Sequence, residues 1–330
     1  MRRRDLVLLA GAALTAPRMS LAQQAERPRR IGYLTPATGS PRDLLGVTQT
    51  RALVAGLREL GWYDGRNITV EHRFSGEGRE RIRANAKELV ALNPDVIFCV
   101  GGPPLAALLA ETRTIPIVFV NVNDPVGAGF VSSLAAPGGN ATGIAVSEAP
   151  IAGKWVQLLK EVAPQITRVL ILPEADAAPQ RVLAEAVAAA APSLGLTLVT
   201  ASIHEAADYD REIEAFAREP SGGLVALSNP VLANSMERVH ALAVRHRLPA
   251  VYSYPVYAQS GGLISYGPDP AAVVHEATRY IDKVLRGAKP GDLPVQQPTR
   301  FVLAVNLKTA KALGLSVPQS LLARADEVIE

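Results

Sequence analysis

From residue 30 onward, short apolar runs alternate with segments whose apolar residues recur every three or four positions. Residues 31–35 form an apolar run that stops at Pro36. In 46–60, Val47, Leu53, Val54, Leu57 and Leu60 share one helical face, and Gly61 ends it. Residues 68–74 alternate Ile68, Val70, His72 and Phe74, the period of a strand. A helix over 79–92 halts at Asn93-Pro94, a buried-type strand over 95–100 halts at Gly101-Gly102, and a helix over 104–112 precedes a strand over 117–122. This strand–helix alternation predicts a parallel sheet with helices on both faces.

After the turn cluster Ala136-Pro137-Gly138-Gly139-Asn140 and a strand over 142–146, the alternation restarts. Helices are predicted over 154–162, 180–191, 209–218 and 231–245, and strands over 168–172, 196–201, 224–227 and 250–252. The tail adds a strand (262–266), a helix (271–285), a Pro/Gly-rich stretch (287–298), a strand (301–306) and a helix (307–313). The pattern predicts the α/β class: two Rossmann-like three-layer (αβα) lobes joined by a hinge of several strands. Residues 28–146 with 263–290 are assigned to the first lobe and 147–262 with 291–330 to the second, with the first crossing near Ser147. A tail that serves both lobes suits a cleft that opens and closes.

The first 22 residues do not fit that alternation. Arg2-Arg3-Arg4 precede an apolar run from Leu6 to Ala16, too short to span a bilayer, and Ser20-Leu21-Ala22 fits a signal-peptidase site. Residues 1–22 are therefore expected to be an export signal, of the twin-arginine or the general type. No Cys follows the run, so the expected product is a periplasmic protein without a lipid anchor. This changes how the charge is read. The full chain carries a net +3, a hint of nucleic acid or an anionic membrane surface. Residues 1–22 hold four arginines and one acid, so the remainder is neutral. No nucleic-acid partner is expected.

Catalytic motifs are sparse. No G-x-S-x-G elbow or P-loop string occurs. His72, His204, His240, His246 and His275 are scattered, and His240 and His246 miss the spacing that shares a metal on a helix. The single cysteine, Cys99, falls inside an apolar strand and reads as a packing thiol. Gly127-Ala128-Gly129 imperfectly resembles a dinucleotide loop, with Ser132 in place of its third glycine. It keeps a nucleotide-dependent α/β enzyme open as an alternative. No catalytic residue, cofactor or metal is expected.

Ligands of open α/β sheets bind beyond the carboxyl ends of the strands, and there the chain carries polar and glycine residues. Thr35 and Thr38 follow the first strand. Gly101, Gly102 and Pro103 follow the third and open a helix whose free N–H groups suit a carboxylate. Asn123 and Asp124 follow the fourth, with Asp124 an acceptor for an ammonium group. Ser228 and Asn229 close a strand of the second half. Tyr254 and Tyr266 are expected to cover a small solute, with Gly262 beside them.

Several runs resemble one family: Gly61-Trp62 with Gly65-Arg66-Asn67-Ile68, Asp95-Val96-Ile97 with Gly101-Gly102, and Ile115-Pro116-Ile117-Val118-Phe119. To these are added Asp124-Pro125-Val126-Gly127, Asn140-Ala141-Thr142-Gly143, the 261–267 run, the 283–298 segment and Asn306-Leu307-Lys308-Thr309-Ala310. Together they are similar to the ABC-transporter substrate-binding proteins of the tryptophan/tyrosine-uptake-like group. The resemblance implies a type I periplasmic binding fold and delivery of a small solute, in some members an aromatic amino acid, to an inner-membrane permease. A monomer is expected. A sensory binding protein that docks a receptor is the other alternative.

Overall fold

The computed structural model describes residues 27–330 apart from 77, 147, 148, 176 and 177. The expected signal, 1–22, and the expected crossing at Ser147 lie outside the described residues.

Eight elements make the first half: β1 (Arg29–Thr35), α1 (Leu44–Glu59), β2 (Ile68–Phe74), α2 (Arg79–Ala91), β3 (Val96–Val100), α3 (Gly102–Glu111), β4 (Ile117–Val122) and β5 (Ala141–Ala145). The strands form one sheet in the order β2-β1-β3-β4-β5, and every pairing is parallel. Position explains the sequence patterns. β3 lies at the centre and is buried at every residue, so it reads as a continuous apolar run. β2 lies at the edge and alternates.

The second half runs α4 (Ala149–Val162), β6 (Arg168–Leu172), α5 (Ala178–Ala190), β7 (Thr197–Thr200), α6 (Ala206–Phe216), β8 (Gly222–Ala226), α7 (Pro230–Arg245), β9 (Ala250–Tyr252), α8 (Pro255–Gln259) and β10 (Ile264–Pro268). The tail adds α9 (Pro270–Leu285), β11 (Phe301–Asn306), α10 (Leu307–Ala312), α11 (Gln319–Leu322) and β12 (Glu327–Ile329). The second sheet has the order β12-β11-β10-β9-β8-β6-β7, parallel except at β10–β11. Each sheet carries apolar clusters on both faces, around Ile31, Phe98 and Ile281 or Leu34, Ile97 and Leu108 in the first, and around Trp155 and Val225 or Tyr209 and Leu224 in the second.

The expected assignment of 263–290 to the first lobe is corrected. β10 pairs with β9 and β11, so its strand belongs to the second sheet. The physical reason is close backbone approach: a Cβ on Gly267 would fall 1.7 Å from the Ser253 carbonyl oxygen. Only α9 returns to the first half, where it packs on α1. A Cβ on Gly56 would meet Thr278 Oγ1 at 2.5 Å, so glycine sets the spacing of that helix pair. Part of the stretch given to the second lobe also lies on the first sheet, because the Gln296 N–H donates to Gly143 O at 3.0 Å. The chain thus passes between the halves after β5, between β10 and α9, and between Gln296 and β11.

Candidate functional site

Both sheets point the carboxyl ends of their central strands at one cavity of about 160 Å³. In the first sheet, β1 is followed by β2 on one side and β3 on the other; in the second, β6 is flanked by β7 and β8. Such reversals of strand order open a crevice between the loops that leave in opposite directions. Thr35, Gly101, Asn121 and Asn123 line the cavity from the first half, and Gln180, Ser228, Asn229, Asn234 and Tyr254 from the second.

Helices α1, α3, α5 and α7 begin at this cavity. Asp43 caps α1 by accepting from the Gly46 N–H at 2.9 Å, and its other oxygen accepts from the Thr38 N–H at 3.0 Å. Asn229 caps α7 by accepting from the Leu232 N–H at 2.7 Å. Gly101 turns the chain from β3 into α3 at φ 90°, a region open to glycine. Gln180 lies in the first turn of α5. The amino ends of these helices give the cavity a partial positive field.

The second-half wall is held by hydrogen bonds. Ser228 Oγ lies 2.9 Å from the Tyr257 hydroxyl, the Ser228 N–H donates to Ser253 Oγ at 3.2 Å, and Gln180 Nε2 donates to the Ser228 carbonyl at 2.8 Å. Three carboxamides on the cavity keep a buried atom without a partner: Gln49 Nε2, Asn121 Oδ1 and Gln180 Oε1. Buried polar atoms are nearly always paired, so unpaired ones mark a place where a ligand or water completes the bonding. Across the cleft, Thr38 Oγ1 donates to Asn234 Oδ1 at 3.3 Å, and Leu45 of the first half packs on the apolar cluster of the second.

Of the residues expected from sequence, Thr35, Gly101, Asn123, Ser228, Asn229 and Tyr254 come together on the cavity. Thr38 lies on the bridge to Asn234. Gly102 and Pro103 open α3 behind Gly101. In that turn Pro103 and Pro104 carry no N–H, and the Gly101 and Leu105 N–H groups go to Val120 O (2.8 Å) and Gly101 O (3.3 Å). Gly102 is the backbone donor left there. Asp124 is exposed, and its Oδ1 accepts from the Gly127 N–H at 2.9 Å. Gly262 is packed under Tyr252 and Tyr257 instead of on the cavity. Tyr266 stacks on Phe301 at 6.0 Å, and its carbonyl accepts from Trp155 Nε1 at 2.7 Å, also away from the cavity. The Gly127 loop is a run of turns between β4 and β5 that opens no helix, so the geometry of a dinucleotide site is missing there.

Asp43, Gln49, Gln180 and Asn234 were not among the expected residues. Gln49 had a signal: it shares the buried face of α1 with Leu53 and Leu57, where a polar side chain needs a reason. His240, near the wall but off the cavity, stands edge-on to Tyr252 at 5.1 Å, and burial pushes its pKa down to about 4. A larger hollow of about 610 Å³ lies at the opposite end of the first sheet, beside Trp62 and Arg286. Its arginines are engaged: Arg27 and Arg29 each lie 3.1 Å from Asp95, and Arg286 lies 2.7 Å from Asp282.

A family model described as ABC transporter substrate binding protein matches residues 47–329. The chain is 24% identical over 265 residues to a tyrosine-binding protein of Clostridioides difficile, covering 80% of this chain and 76% of that protein. It is similar to an ABC domain in complex with L-Trp from Streptococcus pneumoniae, with a TM-score of 0.82, 24% identity and coverage of 92% and 100%. A conserved domain protein of Vibrio cholerae gives a TM-score of 0.83 at 28% identity, again over 92% and 100%. A ligand-free, open substrate-binding protein of Clostridium difficile gives 0.66 at 23% identity, over 92% and 99%.

Proposed function

The chain belongs to the ABC transporter substrate-binding protein family, and on that premise we propose that it is a periplasmic receptor for a small amino acid-like solute, an aromatic amino acid first among the candidates. The observation that carries this reading is a cavity walled by both halves and lined by carboxamides that each keep a buried hydrogen-bonding atom unpaired. A solute there bonds to both halves at once. It therefore has a higher affinity for the closed arrangement than for an open one, and this difference in affinity drives closure. The bridge from Thr38 to Asn234 and the seat of Leu45 on the second core support reading the described arrangement as closed. The better agreement with the L-Trp complex than with the ligand-free, open relative supports it further.

The helix amino ends suit a carboxylate, the carboxamide oxygens suit an amino group, and Tyr254 with Leu45 supplies apolar surface for a side chain. The polar groups that line the cavity are chiefly carboxamides and hydroxyls, with the Asp43 carboxylate beside them. The closed form is delivered to an ABC permease. Among the described residues no helix is long and apolar enough to cross a membrane.

Isothermal titration against the amino acids, with sugars and polyols as controls, tests the reading. Saturable one-to-one heat with tryptophan, tyrosine or phenylalanine is expected. Binding of a sugar with no response to any amino acid contradicts it.

A further inference from the structure

We propose that the amino group of the solute is received by uncharged carboxamide oxygens, Gln180 Oε1 from the second half and Asn121 Oδ1 from the first, and that Gln180 is thereby a specificity-determining residue. This rests on the reading of the cavity as an amino-acid site.

The orientation of Gln180 follows from its bonding. Its side chain is 8% exposed, and its amide contacts the Ser228 carbonyl at 2.8 Å. A carbonyl only accepts, so the NH2 end faces Ser228 and the oxygen is turned away from it. Ser228 is itself fixed by Ser253 and Tyr257. The oxygen that results is buried and has no donor. Leaving such an atom unpaired is costly, so the fold holds it ready for a donor from elsewhere. Asn121 presents a second buried, unpaired oxygen from the end of β4, on a backbone set at φ 55°.

The choice of neutral acceptors follows from the remaining walls. Asp43 is the one carboxylate among the described lining residues, and each of its oxygens already accepts an N–H, from Gly46 and from Thr38, so it is engaged in the cap of α1. Asp124 is exposed and serves its own turn. A donor group on the solute therefore meets amide oxygens. Because one acceptor comes from each half, an amino group bonded to both ties the halves together.

The test is a cycle between a residue and a ligand atom. Titrations compare L-tryptophan and L-tyrosine with their desamino analogues, 3-indolepropionate and 3-(4-hydroxyphenyl)propionate, on the wild type and on Gln180→Met. The wild type is expected to prefer the amino acid by roughly tenfold or more, the scale of a hydrogen bond to a charged group. In Gln180→Met that preference shrinks to about twofold as the coupling is lost. Asn121→Gly, which keeps the backbone conformation and removes the oxygen, shrinks it in the same direction and serves if Gln180→Met fails to fold. A variant that weakens amino acid and desamino analogue equally, or keeps the full preference, overturns the assignment alone. A wild type that binds none of the amino acids overturns the amino-acid reading and the assignment with it.

Discussion

Mild acid provides a quantitative probe of the second half through His240. The imidazole is 8% exposed, stands perpendicular to Tyr252, and has its pKa pushed down to about 4 by burial. In the unfolded chain a histidine titrates near 6.5. The folded value lies below the unfolded one, so the fold accommodates the neutral ring and protonation favours unfolding. The contribution is fully present above about pH 6.5, erodes as the pH falls, and is gone below about pH 4; the gap is worth roughly 3 kcal/mol. His72, also lowered by burial, acts in the same direction. Asp208, lowered by the backbone N–H groups of His204 and Glu205, loses its contribution only at lower pH, below the ordinary carboxylate range. Denaturant titrations at half-unit intervals from pH 7.5 to 4.5 measure the slope, and His240→Phe is expected to flatten most of it. A wild type of constant stability over that window, or a variant with the same slope, refutes the reasoning.

Further tests address the rest of the frame. Gly56→Leu drives a side chain into Thr278 between α1 and α9 and should cost about 1–3 kcal/mol, read as a lower Tm. Asp43→Ala removes the cap of α1 and the acceptor of the Thr38 N–H. It should cost about 1–2 kcal/mol in chemical denaturation and weaken solute binding as well. Tyr257→Phe removes the hydroxyl on Ser228 Oγ and should lower stability in chemical denaturation by roughly 1 kcal/mol, with solute affinity falling in the same direction. Cys99 is fully buried and its pKa is raised by burial, so a thiol reagent should label it only in denaturant.

Particular residues show what the sequence can and cannot convey. The strand that contains Cys99 was legible because a central parallel strand is apolar on both faces, and helix stops such as Gly61 and Asn93-Pro94 fall where the chain turns. The cavity's place was legible through the strand ends at Thr35, Gly101, Ser228 and Asn229, since polar residues after buried strands point beyond the sheet. Asp124 and Tyr266 have the same chemistry and lie elsewhere, because whether a polar residue faces a cleft or its own turn depends on contacts a few residues away. Gln180 and Asn234 sit on helices whose approach to the cleft depends on how the two halves meet, which local periodicity does not encode. The same holds for β10 and α9, neighbours in sequence that pack on different sheets.

The central claim is that the solute lies between the two sheets, held by both. A crystal structure of the protein loaded with the amino acid that titrates most tightly tests it most directly. The account predicts ligand density bridging Asn121 and Gln180, with the carboxylate towards the helix amino ends near Gly101 and Gly102. Density confined to the hollow beside Trp62 and Arg286, or to one half alone, contradicts it.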